Sequence, residues 1–297
     1  MSQVTTQQSG IEENSGGPGK SAEPLIIDRG PTFLQRLAGK SWLSLVTTPL
    51  ILILALWYWD FYVRTTGISR FVLPAPGAVG SAFMEQITDP FVWERHIFTT
   101  LYEVLWGLFY AIVFGVSLGF AVGKSALVDR ILRPFIVATQ VIPKVALVPL
   151  FILWFGFGST SKIVIAALLA FFPLMINTAF GVRSVPQSMH DLMHTLRAGR
   201  WQRFWKAELP HTLAYTLAGL ELAVVQATIG AIVGQYLGGD RGLGRYAVDL
   251  QNALQVDKLF GAIMMMTIFG FVLYTIVMGT RRFVIPWHDS VKPRRRL

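Results

Sequence analysis

The sequence predicts an all-α, polytopic membrane protein with about six transmembrane helices, and three observations carry that expectation. Only 14% of the 297 residues are charged and 53% are hydrophobic, whereas soluble domains carry roughly 25% charged residues. Apolar stretches of membrane-spanning length recur along the chain. Lysine and arginine gather in every second connection between those stretches.

The opening segment, MSQVTTQQSGIEENSGGPGKSAEPLIIDRG, is rich in Gly, Ser, Gln and Glu and offers almost nothing to bury. Residues 1–40 are therefore expected to be a disordered tail. They lack the basic start and immediate apolar core of a cleaved signal peptide. The first apolar run starts near Trp42 and reads as a retained span over 41–63. Beyond it come an external segment (64–96), a transmembrane domain (97–285) that includes a polar loop at 183–212, and a basic tail (286–297).

A spanning helix needs about 20 mainly apolar residues, because lipid offers the backbone no hydrogen-bond partners. Six segments meet that need, at roughly 42–63, 97–122, 132–156, 162–182, 213–238 and 259–280. FGSTSK separates the third from the fourth, which leaves room only for a tight hairpin. With the N-terminus placed in the cytoplasm, the connections on that side hold 18 of the 26 Lys and Arg residues and the external ones hold 6. That bias is expected to put both termini in the cytoplasm. The closing PRRRL belongs to it, so anionic lipid headgroups, not nucleic acid, are its expected neighbours.

Several function classes drop out at once. With no cysteine there is no disulfide, thiolate metal site or cysteine nucleophile. His190 and His194 stand four apart on a helical pattern, but no acidic third ligand is placed to close a metal site. No catalytic triad or carboxylate pair has supporting context. The phosphate cradle G-x-x-x-x-G-K-[ST] is missing from the sequence, so the chain holds no ATP of its own.

Residues 190–210, HDLMHTLRAGRWQRFWKAELP, interrupt two long apolar runs on the cytoplasmic side. Asp191, Met193, Leu196, Trp201, Phe204 and Trp205 recur at intervals close to three and four, as on an amphipathic helix. Leu209-Pro210 is expected to end that helix. Such a helix either lies on the membrane or offers its aromatic face to a partner, and Trp with Arg is the composition of interface anchors. A third arrangement packs Trp201, Phe204 and Trp205 back on the fourth and fifth spans.

The segment resembles the cytoplasmic EAA coupling loop of binding-protein-dependent ABC importer permeases. Anchored on Leu209-Pro210, the Glu position falls on Asp191, the two Ala positions on Leu192 and Met193, and the Gly position on Arg197. The alanines and the glycine are not matched, and Arg enters a left-handed turn less easily than Gly. LPAPGAV (73–79), PKVALVPLFILWFGFGSTSKI (143–163), FFPLMINTAFGV (171–182) and GLGRYAV (242–248) are similar to the nitrate/sulfonate/taurine branch. IVGQYLGGDRGLG tilts toward permeases for thiamine-precursor pyrimidines or riboflavin. The resemblance covers about residues 70 to 287.

It implies a type I importer permease that translocates a small solute. Two separate ATPase subunits would hold ATP and Mg, a periplasmic binding protein would deliver the solute, and a second permease copy would complete a homodimer. Asp191, Leu192, Met193, Arg197, Gly199, Leu209 and Pro210 are then the coupling-loop residues, with Trp201, Phe204 and Trp205 added as aromatic anchors.

Within the membrane, Lys144 in VIPKVALVP is costly unless it faces protein, water or a counter-charge. Pro143 and Pro149 frame it and should break regular helix, which at membrane depth is tolerated beside a cavity or inside protein. Lys144 either lines the translocation path or pairs with Glu103 or Glu221, or reaches the cytoplasmic surface. Gln140, Asn177, Gln226, Glu103 and Glu221 are further pathway candidates, each also able to bond between helices. A secondary transporter would show paired broken helices in its two halves, and only the third segment is strongly broken.

Overall fold

Every regular element among the described residues is helical, as the apolar runs require. The computed structural model describes residues 41–285, and the tails expected at 1–40 and 286–297 lie outside them. The chain divides into two compact units, 1–55 and 56–297. The described part of the first is one apolar helical stretch, the start of α1 (Ser41–Thr66).

The second unit carries the remaining helices: α2 (Pro76–Thr88), α3 (Phe98–Lys124), α4 (Ala126–Val141), α5 (Val148–Phe155), α6 (Ser159–Arg183), α7 (Gln187–Thr195), α8 (Leu209–Gly238), α9 (Leu243–Asn252) and α10 (Val256–Val284). π-turns at Trp93–Ile97 and Phe204–Glu208 run directly into α3 and α8. Five helical stretches are long and apolar enough to cross a membrane: Val46–Thr66, Pro90–Lys124, Ser159–Arg183, Arg200–Gly238 and Val256–Arg281. The predicted third span is instead two helices that meet at 86°. Counted as one broken span, they bring the total to six.

The break falls where Pro143 forces the residue before it out of helical space. Ile142 and Pro143 are both extended (ψ 126° and 93°), and Lys144–Leu147 then forms a single 3₁₀ turn. Pro149, expected to break helix as well, sits in the first turn of α5, where a missing N–H costs nothing. Gly156, at φ 80°, makes the predicted hairpin turn into α6.

The core is α6 held between α3 and α8. Close approach comes from glycines on both flanking helices. A Cβ on Gly107 of α3 would lie 2.5 Å from the Ala166 Cβ, and one on Gly230 of α8 would lie 2.9 Å from the Ala166 Cα. Small residues take this role in membranes because dispersion contact, not water exclusion, drives helix association.

A buried polar network closes the hairpin end of this core. Gln235 of α8 donates from Nε2 to Glu103 Oε2 of α3 at 2.7 Å, and its Oε1 accepts from the Gly244 N–H at 2.9 Å. Thr100 Oγ1 accepts from the Leu243 N–H at 2.9 Å. Gly242 at φ 95° lies directly over the Gln235 amide, where a Cβ would come within 2.3 Å of Cδ. The Gly-Leu-Gly of GLGRYAV is thus a wrapper around one buried amide. Lys162, 1% exposed, donates to the carbonyls of Phe157, Gly158 and Gly238.

At the opposite end, ion pairs tie the helix termini together. Asp129 of α4 bridges Arg133 and Arg183, each at 2.7 Å, and Lys124 of α3 meets Glu208 at 2.5 Å. These pairs fix the root of the polar loop that follows α6.

Candidate coupling surface and translocation residues

The loop between α6 and α8 folds as two short helical pieces around a sharp turn. α7 ends in a Schellman arrangement. The Ala198 N–H donates to the Met193 carbonyl and the Arg197 N–H to the His194 carbonyl, both at 2.9 Å. That closure requires a left-handed residue, and Arg197 supplies it at φ 50°. The turn the resemblance assigns to glycine therefore forms here on arginine. Arg197→Gly should relieve the strain by about 0.5–1 kcal/mol after allowance for unfolded-chain entropy. Hydrogen exchange of the amides at 196–198 should slow accordingly, by about two- to fivefold.

Gly199 is extended (φ −65°, ψ 163°) and its N–H donates to Gln202 Oε1 at 3.1 Å, starting the Arg200–Arg203 turn. Nothing lies within 4 Å of a Cβ built there, so packing does not demand glycine at this position. Leu209-Pro210 does not end the helix as the sequence suggested. The backbone runs through the π-turn Phe204–Glu208 straight into α8, with Pro210 in its first turn. Proline is tolerated there because the π-turn precedes it and its absent donor falls where helices lack partners anyway.

Arg200–Gly238 is 39 residues long, or about 58 Å at 1.5 Å per residue. Hydrocarbon accommodates about 30 Å, so a large part of this helix must stand outside it. Three aromatics mark its loop end. Trp201 and Trp205 meet edge to face at 5.6 Å, and Phe204 lies 5.6 Å from Trp205 and 5.5 Å from Phe120 of α3. The Lys124 ammonium sits 4.8 Å over the Phe204 ring. Phe204 thus packs back on the second span, α3. Trp201 and Trp205 remain 71% and 50% exposed.

Leu192 of α7 and Leu196 beside it are exposed too, so one end of the molecule carries an apolar-aromatic strip. Patches of this kind mark protein or membrane contacts. Asp191 is exposed, with Gln187 Nε2 donating to Oδ1 at 3.1 Å and Thr195 Oγ1 to its carbonyl at 3.0 Å. Met193 and Leu209 are half-buried.

The intramembrane candidates fall into separate surroundings. Lys144, at the bend, holds its ammonium 5.0 Å over the Phe172 ring. The ion-pair partners suggested for it are engaged elsewhere: Glu103, 2% exposed, with Gln235, and Glu221 with Arg281 at 3.1 Å. Asn177 donates to the Pro173 carbonyl of its own helix at 2.8 Å. Gln226 is half-buried on α8 and Gln140 exposed at the end of α4.

The sequence reading missed two features. Lys162 and Gln235 organise the hairpin end through partners up to 135 residues away, which no local pattern reveals. The second feature has a readable signal, Tyr102, Trp106, Tyr110 and Phe114 at strict four-residue spacing. These rings line a groove of about 730 Å³ between α3 and α6. Among the described residues, no group of three His, Asp or Glu side chains could hold a metal ion.

Comparison with known proteins gives consistent matches. The riboflavin transport system permease protein RibX of Chloroflexus aurantiacus is 32% identical over 82% of this chain and 90% of that protein. The formylaminopyrimidine transport permease protein ThiX of Halalkalibacterium halodurans is 31% identical over 78% and 92%. The taurine transport system permease protein TauC of Escherichia coli K12 is 30% identical over 76% and 83%. All three are named as permeases, not enzymes. The family model described as binding-protein-dependent transport system inner membrane component matches residues 111–288. With its all-helical, multi-pass fold, the chain belongs to that family, as an inner-membrane permease subunit of an ABC importer.

Proposed function

We propose that this permease couples ATP hydrolysis on two partner ATPase subunits to uptake of a small solute, through residues 183–212. The observation that carries the reading is the exposed strip of Leu192, Leu196, Trp201 and Trp205, held outside the spans on a root of ion pairs. A strip so placed can seat in a groove of an ATPase and convert its closure into movement of α6 and α8. Asp191, Arg197 and Gly199 set the shape of the contact, Leu192 and Met193 its apolar floor, and Leu209 and Pro210 join it rigidly to α8. ATP and Mg belong to the partner subunits. The charge bias supports a cytoplasmic position for the loop and both termini, in a bacterial inner membrane.

The remaining assembly is a second permease copy, as a homodimer, and a periplasmic solute-binding protein. The names of the relatives, which include an aliphatic sulfonates permease of Bacillus subtilis and a nitrate import permease of Leptolyngbya laminosa, support a solute that is either a small oxyanion such as a sulfonate, taurine or nitrate, or a pyrimidine or flavin-like heterocycle. Lys144 supports the anionic choice: it stands half-buried at the bend over an aromatic ring and makes no ion pair among the described residues. Lys144→Met should then weaken uptake of the anionic solute at least about tenfold, the loss of a desolvated charge contact. Unchanged uptake affinity would remove Lys144 from the path.

The coupling reading is tested by affinity recovery of the full chain from host membranes in mild detergent, with mass spectrometry of what accompanies it. A P-loop ATPase should co-purify and should be lost from an Asp191→Ala, Trp205→Ala variant. Uptake that persists with no ATPase bound would overturn the proposal.

A further inference from the structure

A second cavity opens at the loop end, about 410 Å³ in volume, and it belongs to neither the exposed strip nor the spans' interior. Its walls are Lys124, His190, Arg200 and Arg203, with Glu208 as the one carboxylate and the Gly123–Val182 contact as its floor. The carboxylate is already paired with Lys124 at 2.5 Å. Arg203 spends its Nε on the Ala198 carbonyl at 3.0 Å, which leaves its terminal nitrogens for another acceptor. The Arg200 guanidinium has no ion pair or hydrogen bond among the described residues.

The site therefore holds an excess of two positive charges that nothing among the described residues neutralises. At the end of α3 the Val122 carbonyl already accepts from Arg183 at 2.9 Å.

We infer that this cavity binds the phosphodiester headgroup of an anionic phospholipid. The chemistry required is a phosphate oxygen cluster for two guanidinium groups, which bind phosphate through paired N–H donors. Free phosphate offers the same chemistry, but two features favour lipid. The cavity lies where α3 ends at Lys124 and α6 at Arg183, the level at which hydrocarbon gives way to headgroups. Its volume also exceeds what a lone phosphate would fill, while a glycerol-linked headgroup would occupy more of it. A lipid held there would brace the root of the loop and make the loop's stiffness depend on membrane composition.

The test is native mass spectrometry of the delipidated full chain, titrated with phosphatidylglycerol, phosphatidylcholine or inorganic phosphate. Phosphatidylglycerol should be retained and phosphatidylcholine not. Arg200→Gln should weaken retention about fivefold, and Arg200→Gln with Arg203→Gln about 25-fold, following the usual contribution of each basic side chain to anionic lipid binding. Arg130→Gln, which removes an exposed arginine of α4 outside the cavity, should change it less than twofold.

Equal retention of the two lipids would overturn the inference, as would an equal effect of Arg130→Gln. Displacement of the lipid by millimolar inorganic phosphate would assign the site to a soluble anion instead, and loss of the lipid on ATPase assembly would assign it to the partner. Arg200→Gln alone guards against a folding defect, since it removes no bond within the loop. Co-purification of the ATPase from host membranes is read separately for the same variants, so a failed coupling proposal and a failed lipid site give different patterns.

Discussion

Replacing Trp201 and Trp205 together with alanine is expected to weaken ATPase binding by about 100- to 1000-fold without unfolding the permease. Buried interface tryptophans commonly contribute 2 kcal/mol or more each, and such effects are seldom additive. These two rings are the most favourable anchors on the strip: 71% and 50% exposed, and held edge to face at 5.6 Å. Little of the free chain rests on them, so the thermal midpoint of the purified variant should move by no more than a few degrees. Phe204→Ala should show the opposite profile. That ring packs on Phe120 and under the Lys124 ammonium, so its loss should lower the midpoint first and ATPase binding only through disorder of the loop. The check is a binding titration of the nanodisc-held chain against the purified ATPase, beside a melting curve for each variant. Unchanged affinity in the double tryptophan variant would place the coupling contact elsewhere.

The contrast between Phe204 and its two neighbours shows how far the sequence is readable. Three- and four-residue spacing identifies an aromatic helical face, but which ring turns back toward α3 depends on Phe120 and Lys124, 84 and 80 positions earlier in the chain. The spans were legible because a bilayer imposes a minimum apolar length on every crossing segment. The break before Pro143 was legible from the backbone restriction that proline places on Ile142. Pro149 and Pro210 were misread for a common reason: proline interrupts a helix interior but suits its first turn, and only the register of the helix decides between the two. At Arg197 the resemblance located a left-handed turn, and hydrogen bonding around it holds the arginine in that conformation despite its cost.

Lys162→Met is expected to be the most damaging single change to the fold, lowering stability by about 3–5 kcal/mol, at roughly 1–3 kcal/mol for each buried carbonyl left without its donor. Methionine matches the lysine stem in length and keeps the contact with Gly234, where the Lys162 Cγ would be 3.1 Å from an added Cβ. What it cannot replace is the ammonium. All three N–H groups are spent on the carbonyls of Phe157, Gly158 and Gly238, which join the turn before α6 to the last residue of α8. With the donor gone, the Phe157 and Gly238 carbonyls lose their partner beside a position 1% exposed, while the Gly158 carbonyl keeps the Ser161 hydroxyl at 3.0 Å. An interhelical hydrogen bond in a membrane averages only about 0.6 kcal/mol, so most of the loss comes from these stranded acceptors rather than from the bonds themselves. The thermal midpoint of the detergent-purified chain should fall by about 6–20 °C. Arg241→Gln, which breaks only an exposed pair with Asp240 at 3.5 Å, should leave it nearly unchanged. Equal midpoints for the lysine and methionine forms would mean that water reaches the Gly238 carbonyl, and the hairpin end would then be open rather than sealed.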